Sequence, residues 1–221
     1  MRRTRHPALD QAQLYGILDL AYVREPEALD VAGDLLAGGA QILQLRAKEQ
    51  TPATILPLAC KLSALCRARG APFIVNDHPH LVPECRAQGV HVGQDDLSVA
   101  EARKLAGDDA IIGKSTHSLT QARAALLEGP DYIGFGPLFA TRTKPDYTPI
   151  GIDEIGRVQE EVGIPVFCIG GINLGNLREV VAAGASRVVI VSGILQAADP
   201  RAYCQQCRRI LDSAGNSLSP L

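Results

Sequence analysis

The stretch that decides the fold is GVHVGQDDLSVAEARKLAG, residues 89–107. It opens with the short apolar run Gly89–Val92, and polar residues follow where that run ends. Ser98-x-x-Glu101 then predicts a helix start, because the Ser and Glu side chains can satisfy each other's backbone N–H groups; Ser118-x-x-Gln121 fits the same reciprocal box. Gly107 ends the helical pattern, since glycine adopts the left-handed conformation of a helix end at low cost. The stretch is therefore one β/α unit.

The same unit recurs along the chain. Most of its apolar runs are apolar at consecutive positions, which is typical of parallel strands covered on both faces. No Pro- or Ser-rich linker divides the units, so we predict one domain of the α/β class over residues 1–221, a single (β/α)8 TIM barrel. The eight candidate strands are Leu14–Leu20, Ile42–Arg46, Phe73–Val75, Gly89–Val92, Ala110–Gly113, Asp131–Phe135, Pro165–Ile169 and Arg187–Val191.

An open doubly wound sheet is the competing fold. Such a sheet binds dinucleotides through Gly-x-Gly-x-x-Gly after its first strand, whereas this chain has Leu18-Asp19-Leu20-Ala21-Tyr22 there. The barrel is therefore favoured. Outside it we expect a short basic N-terminal tail over about residues 1–12 and a C-terminal tail over about residues 214–221.

Composition excludes several classes of protein. The chain has 221 residues, 46% of them hydrophobic, with 22 Lys and Arg against 24 Asp and Glu for a net charge of −2. Such a chain is not disordered, and it is not a nucleic-acid binder that works by overall positive charge. It contains no apolar run of about 18 residues, and the basic start lacks the apolar stretch of a signal peptide. We therefore expect a cytoplasmic protein with no membrane span.

The six cysteines are expected to be reduced, because nothing in the sequence indicates secretion. Cys204-Gln-Gln-Cys207 has the spacing of a zinc or redox site, but no second pair of ligands accompanies it. The pair also falls inside a helical pattern. We interpret both residues as packing residues.

In a TIM barrel the active site lies at the carboxyl ends of the strands. The second strand ends in Gln44-Leu45-Arg46-Ala47-Lys48, and strand alternation places Gln44, Arg46 and Lys48 on one side. Two cations and an amide at the barrel mouth suit a phosphate ester. A solvated strand end is the alternative interpretation.

Two carboxylates follow neighbouring strands. Asp77 comes directly after the third strand, and Asp96 follows the fourth. Carboxylate oxygens at adjacent tips suit a hard cation, and Mg2+, which bridges to phosphate, fits better than zinc. Helix capping is the alternative for either aspartate alone. Together, next to two cations, they favour a metal and a diphosphate.

The fifth strand presents a hydroxyl and a histidine. Ser115 is the predicted inward hydroxyl, and His117 is either a general base or a loop histidine. His91 lies inside the fourth strand and is interpreted as a core or supporting residue.

The last three strand ends point to a second anion site. After the sixth strand, residues 136–146 form a long polar loop with hydroxyl groups and cations, which suits a lid over phosphate. Glycines follow the seventh strand at Gly170-Gly171 and the eighth at Gly193. Glycines there let backbone N–H groups approach a phosphate. A tight turn is the alternative for the first pair. Two separate anion sites imply two substrates.

These motifs together resemble the thiamine-phosphate synthase family. The similarity runs from Tyr15-Gly16-Ile17 to Val191-Ser192-Gly193, and several motifs occur in the family's order. Its strongest stretches are residues 44–48, 75–77, 89–97, 113–117, 132–144 and 169–172.

The resemblance implies that hydroxymethylpyrimidine diphosphate is joined to thiazole phosphate with release of diphosphate. The implied chemistry is dissociative, so that diphosphate leaves before the thiazole nitrogen attacks. Arg46, Lys48, Ser115 and Lys144 are the expected catalytic residues. The resemblance assigns the pyrimidine diphosphate to the strand-two motif (Gln44, Leu45, Arg46, Ala47, Lys48) with Asn76, Ser115 and Lys144, Mg2+ to Asp77 and Asp96, and the thiazole phosphate to Thr141, Arg142, Thr143, Gly171, Val191 and Ser192.

The chain departs from the family pattern at three positions. Ala47 stands in place of a Glu, His78 in place of an Arg, and Ala140 in place of a Pro. His78 removes a permanent cation near the diphosphate and puts the efficiency of the reaction in question. Two other functions remain open: a thiazole tautomerase with His117 as its base, and a non-catalytic thiamine-phosphate-binding protein. The expected partners are two small-molecule substrates, with no nucleic acid and no membrane; a homo-oligomer is left open.

Overall fold

The computed structural model describes residues 6–141 and 148–216, without the side chains of residues 215 and 216. Eight parallel strands close into a barrel in chain order, which confirms the predicted TIM barrel. The first strand pairs with both the second and the last, and this double pairing closes the barrel. The strands are β1 Leu14–Asp19, β2 Ile42–Arg46, β3 Phe73–Asn76, β4 Gly89–Val92, β5 Ile111–Thr116, β6 Tyr132–Phe135, β7 Val166–Ile169 and β8 Val188–Ile190.

Helices follow the strands and cover the barrel. They are α1 Pro7–Gln11, α2 Ala28–Ala37, α3 Pro52–Ala68, α4 Leu81–Cys85, α5 Val99–Ala106, α6 Leu119–Glu128, α7 Ile155–Val162, α8 Leu177–Ala182, α9 Ser192–Leu195 and α10 Pro200–Asn216, with a short 3₁₀ helix at Glu25–Glu27. Within the described parts of the chain, no helix combines the length and apolar character needed to cross a membrane.

The two predicted capping boxes differ in the structure. At α5 the box is complete, because Ser98 Oγ accepts from the Glu101 N–H and the Glu101 carboxylate accepts from the Ser98 N–H. At α6 only half of the box forms: Ser118 Oγ accepts from the Gln121 N–H at 3.1 Å. Gln121 Oε1 accepts instead from the N–H of His117, at 2.7 Å. Both cap residues have an extended backbone, but their φ angles differ, at −163° for Ser118 and −61° for Ser98.

Alternation along the strands divides the core into two layers. On β2, Ile42 belongs to the cluster inside the barrel, whereas Leu43 and Leu45 pack between the barrel and the helices. Tyr15, Tyr132 and other large side chains fill the inside at the lower end. Inward positions near the carboxyl ends of the strands are consequently the ones left to form a site.

Helix α1 covers the other end of the barrel. Leu9 and Ala12 are fully buried and pack in the interior cluster. The expected N-terminal tail over about 1–12 was therefore too long, because an open barrel end exposes apolar interior that these residues cover. At the other terminus α10 continues to Asn216, so the expected tail at about 214–221 begins inside a helix.

All six cysteines are thiols. Cys204 and Cys207 lie on α10, are fully buried and belong to the outer core. Burial raises the pKa of each thiol to about 12, so neither is a thiolate at neutral pH. The structure thus agrees with packing roles for both.

The role of α1 as a cover predicts a difference between two Leu→Ala variants. Leu9→Ala removes a fully buried side chain and is expected to lower the free energy of unfolding by about 2–5 kcal/mol. The matched control is Leu127→Ala, at a side chain that is 92% exposed, with an expected change within about 0.5 kcal/mol. Urea unfolding measures both, and equal stabilities would contradict the covering role.

Candidate active site

The carboxyl ends of the strands surround a cavity of about 1040 Å³, including the solvent at its mouth. Most of the site residues predicted from the sequence line this one cavity, although they come from seven different strand ends and loops. These lining residues are Gln44, Arg46, Lys48, Asn76, Asp77, Asp96, Ser115, Thr141, Gly171, Val191 and Ser192.

The remaining predicted site residues fall into two groups. The side chains of Leu45 and Ala47 pack in the outer core instead of lining the cavity, because strand alternation turns them toward the helices. Arg142, Thr143 and Lys144 lie outside the described residues, together with the rest of the predicted lid from residue 142 onward. The departure at Ala47 therefore falls on a side chain that faces away from the mouth.

The carboxylates of Asp77 and Asp96 meet at the mouth. They lie within hydrogen-bonding reach of each other, and Asp96 Oδ2 also accepts from the Gly93 N–H at 2.6 Å. Burial raises the pKa of Asp77, the nearby Asp96 raises it further, and Lys48 opposes both. Asp77 holds a left-handed backbone conformation (φ 62°), which directs its side chain into the site. The pair thus favours an added proton or cation.

Each of the two described cations in this part of the cavity has an acidic partner. Lys48 Nζ pairs with Asp77, and Arg46 Nη1 donates to Asp19 Oδ2 at 2.6 Å. Asp19 is 1% exposed and sits opposite Arg46 in the β1–β2 register, so its carboxylate fixes the guanidinium. Sequence reasoning missed Asp19, although its place at the end of a strand was a usable signal. This part of the cavity thus contains two cationic side chains and three carboxyl groups, those of Asp19, Asp77 and Asp96.

A chain of hydrogen bonds crosses the barrel beneath the mouth. Gln44 Nε2 donates to Tyr15 Oη at 2.8 Å, and the hydroxyls of Tyr15 and Tyr132 are 3.0 Å apart. His91 then lies between Tyr132 Oη (3.1 Å from Nδ1) and Ser115 Oγ (2.9 Å from Nε2). The supporting role predicted for His91 agrees with these contacts. The two tyrosines were missed because they lie within apolar runs.

His117 is tied to the neighbouring strand. Its Nδ1 is hydrogen-bonded to the Gly136 carbonyl, which can only accept, so Nδ1 carries a proton. The ring lines the cavity and links the end of β5 to the loop after β6. In the neutral ring this leaves Nε2 as the unprotonated nitrogen, so both interpretations of His117 stay open.

Backbone groups line the opposite side of the cavity, after β7 and β8. Gly170 and Gly171 have φ angles of 102° and 68°, and a Cβ on Gly171 would lie 2.6 Å from Phe139 Cβ. Glycine is therefore required there for contact with the loop after β6. In α9 the first N–H groups that bond to Val191 O belong to Ile194 and Leu195. The N–H groups of Ser192 and Gly193 precede them and have no acceptor within the helix.

Comparisons with known proteins agree on one family. The family model described as thiamine monophosphate synthase matches residues 14–194. The thiamine-phosphate synthase of Shouchella clausii is 41% identical over 203 residues, which are 91% of this chain and 97% of that protein. The one from Gloeobacter violaceus is 42% identical over 90% of this chain, but the chain spans only 56% of its length.

Solved structures show the same likeness. The thiamine phosphate pyrophosphorylase of Pyrococcus furiosus superposes with a TM-score of 0.85 at 32% identity, covering 93% of this chain and 98% of that one. A 3-hexulose-6-phosphate synthase superposes at 0.68 with 19% identity, over 90% of this chain and 99% of that one. The second similarity shows the barrel fold alone.

Contact between the two carboxylates predicts coupled titration. Asp96→Asn is expected to lower the pKa of Asp77, because it removes a like charge that raises this pKa. Lys48→Met is expected to raise it further, because the ammonium stabilises the carboxylate. NMR titration of the side-chain carboxyl carbons measures both shifts. Asp95→Asn, at the adjacent exposed carboxylate, is the control, and an Asp77 pKa that is the same in both Asp→Asn variants would refute the contact.

Proposed function

The chain belongs to the thiamine monophosphate synthase family of transferases, and we propose that it condenses hydroxymethylpyrimidine diphosphate with thiazole phosphate to form thiamine phosphate and diphosphate. One observation carries this proposal. A cation and carboxylate region at the ends of β2–β4 faces a backbone N–H region at β7–β8 across one cavity. Two regions that could each bind a phosphate group, on opposite sides of one barrel mouth, suit a reaction between two phosphorylated substrates.

The charge balance supports a metal ion. The carboxylates of Asp19, Asp77 and Asp96 outnumber the cations Arg46 and Lys48, so a diphosphate needs further positive charge to bind there. Members of this family use a divalent metal ion. We assign the proposed Mg2+ to Asp77 and Asp96, because Mg2+ commonly takes one or two carboxylates and completes its shell with water and phosphate oxygens.

The donor set fits that choice of ion. Two touching carboxylates offer only oxygen ligands, and the raised pKa of Asp77 marks a place where added positive charge is favourable. In the described ranges no three His, Cys, Asp or Glu side chains form a cluster of the kind that a zinc site would use. When bound, Mg2+ would neutralise charge on the departing diphosphate.

The chain's own residues would hold and stabilise the leaving group. Arg46, fixed by Asp19, keeps its other guanidinium N–H groups for diphosphate oxygens, and Lys48 adds a second positive charge. Lys144 is proposed as a third cation, on the basis of the family resemblance. Burial lowers the pKa of His78, so this residue supplies no permanent charge where the family has an Arg.

The cavity floor would protect the pyrimidine-methyl cation that the dissociative chemistry generates. Ile17, Phe167, Ile169 and Val189 line the floor, and they contribute only apolar side-chain atoms. Water that entered here would capture the cation before the thiazole nitrogen did. The amides of Gln44 and Asn76 are proposed to orient the pyrimidine above this floor.

The thiazole phosphate is proposed to bind on the β7–β8 side. Thr141, Gly171, Val191 and Ser192 line that side, and Thr143, with Arg142 beside it, would complete the site. Backbone N–H groups there would bind phosphate by hydrogen bonds, without a charged side chain. The cytoplasmic location expected from the sequence stays a prediction, and the homo-oligomer stays open.

The first test is an assay of the purified protein with both substrates and Mg2+. We expect thiamine phosphate and diphosphate in equal amounts, measured by chromatography and a coupled diphosphate assay. Metal-independent isomerisation of the thiazole phosphate as the sole activity would identify a tautomerase instead. Binding of thiamine phosphate without turnover would identify a binding protein.

The metal assignment predicts a selective loss in Asp77→Asn. Magnesium-dependent turnover should fall by about 100-fold or more, because one of two charged ligands is removed. Asparagine tolerates the left-handed backbone at this position, so the fold should be retained. Calorimetric binding of thiazole phosphate should be nearly unchanged. Asp109→Asn, at an exposed carboxylate outside the cavity, is the control, and parallel losses of turnover and thiazole phosphate binding would contradict the two-site assignment.

A further inference from the structure

The hydrogen-bond chain inside the barrel is built from five strands. It runs from Gln44 on β2 through Tyr15 on β1, Tyr132 on β6 and His91 on β4 to Ser115 on β5. Gln44 and the tyrosines are at most 2% exposed, so each polar atom along this part of the chain depends on its neighbour for a partner. All five residues line the substrate cavity, with Ser115 at one end of the chain and Gln44 at the other.

Counting hydrogens gives the chain a direction. The Gln44 amide nitrogen can only donate, so Tyr15 Oη accepts from it. Tyr15 has a single hydroxyl hydrogen, which goes to Tyr132 Oη, and the Tyr132 hydrogen then goes to His91 Nδ1. A neutral His91 with an accepting Nδ1 carries its proton on Nε2 and donates to Ser115 Oγ. The hydroxyl hydrogen of Ser115 is thereby left for a group in the cavity.

The reverse direction of donation leaves one buried hydroxyl hydrogen without an acceptor. If Ser115 donated to His91 and His91 to Tyr132, Tyr15 Oη would accept from both Tyr132 and Gln44. The Tyr15 hydroxyl hydrogen would then need another acceptor, and the hydrogen bonds of the described residues provide none for it. A buried O–H without an acceptor costs free energy, so the first direction is preferred. Burial also raises the pKa of both tyrosines far above neutrality, which keeps them as donors.

The surrounding barrel holds this chain in place. Phe167 packs edge-on against both tyrosine rings, with ring centroids 5.4 Å apart in each case. Gly113 leaves room for the bond between Tyr132 and His91, because a Cβ there would lie 2.2 Å from Tyr132 Cζ and 2.5 Å from His91 Nδ1. A side chain at this strand position would therefore break the chain.

We propose that His91 and Tyr132 are positioning residues that hold the Ser115 hydroxyl as a hydrogen-bond donor to the pyrimidine diphosphate, and that Ser115 is not a nucleophile. The identity of the acceptor rests on the proposed function. A serine beside a histidine in a cavity resembles a nucleophilic pair, but there the histidine Nε2 accepts the serine proton. Here Nε2 donates, so Ser115 keeps its proton and no covalent serine intermediate forms.

The first experiment measures the tautomer of His91 and needs no enzymatic activity. In 15N-histidine-labelled protein, with the signal assigned through its loss in His91→Gln, we expect a protonated Nε2 and an unprotonated Nδ1. Tyr132→Phe removes the donor to Nδ1 and should change this pattern. Tyr203→Phe, the control, removes a hydroxyl outside this chain that accepts from the Leu174 N–H, so the pattern should persist. A proton on Nδ1 in the unmodified protein, or the same pattern in both variants, would overturn the proposal.

The second experiment uses enzyme kinetics to distinguish a positioning role of Tyr132 and His91 from a purely structural one. Tyr132→Phe is expected to lower kcat/KM for the pyrimidine diphosphate by about 10-fold, the effect of one weakened hydrogen bond, while KM for thiazole phosphate stays within about 2-fold. His91→Gln retains an N–H that can reach Ser115 and should keep more activity than His91→Leu. Equal activities of these two variants, both shown to be folded by circular dichroism, would count against the proposal, as would parallel increases of both KM values.

The two experiments distinguish the possible failures. An unmodified protein without synthase activity would refute the proposed function, and with it the pyrimidine diphosphate as the acceptor of the Ser115 hydrogen. The tautomer measurement would still decide whether Ser115 is held as a donor. An active enzyme with the reversed tautomer would leave the proposed function intact and refute the positioning of Ser115.

Discussion

Alternation of side chains along parallel strands is the constraint on which the rest of this structure depends. On β2, Ile42, Gln44 and Arg46 point into the barrel, whereas Leu43 and Leu45 meet the helices. Closure of the sheet brings the inward positions of all eight strands together. The interior then changes from apolar near α1 to charged at the mouth, so one small barrel provides both a packed core and a reactive end.

The charged side chains at the mouth are more favourably placed with a bound ligand than in the free protein. The touching carboxylates of Asp77 and Asp96 repel each other, and burial raises the pKa of Asp77 against the effect of Lys48. A polar group held in an unfavourable state is typical of functional sites, where a bound cation or substrate relieves it. Asp19 pairs with Arg46 and holds its guanidinium in place. The negative charge of Asp19 also offsets part of the positive charge that Arg46 presents to a ligand. This arrangement is the basis for the metal ion proposed beside the diphosphate.

The hydrogen-bond chain beneath the mouth connects buried side chains of the barrel core with Ser115 in the substrate cavity. Within an apolar barrel, a hydroxyl or ring nitrogen without a partner is costly, so Tyr15, Tyr132 and His91 must satisfy one another. That requirement fixes the direction of the donors and, at the far end, the role of Ser115. The core thus specifies which hydrogen the site presents to its substrate.

The sequence by itself determined the strand order, most of the strand-end residues and the family, because these depend on local pattern and on motifs a few residues long. Tertiary structure alone decided the burial of Leu9 under the barrel, the pairing of Arg46 with Asp19 and the path from Tyr15 to Ser115. Tyr15 and Tyr132 are 117 residues apart, and both lie in runs that read simply as apolar strands. Only closure of the barrel sets such distant groups within hydrogen-bond distance, since an interior position acquires its partners from strands that the local pattern does not describe.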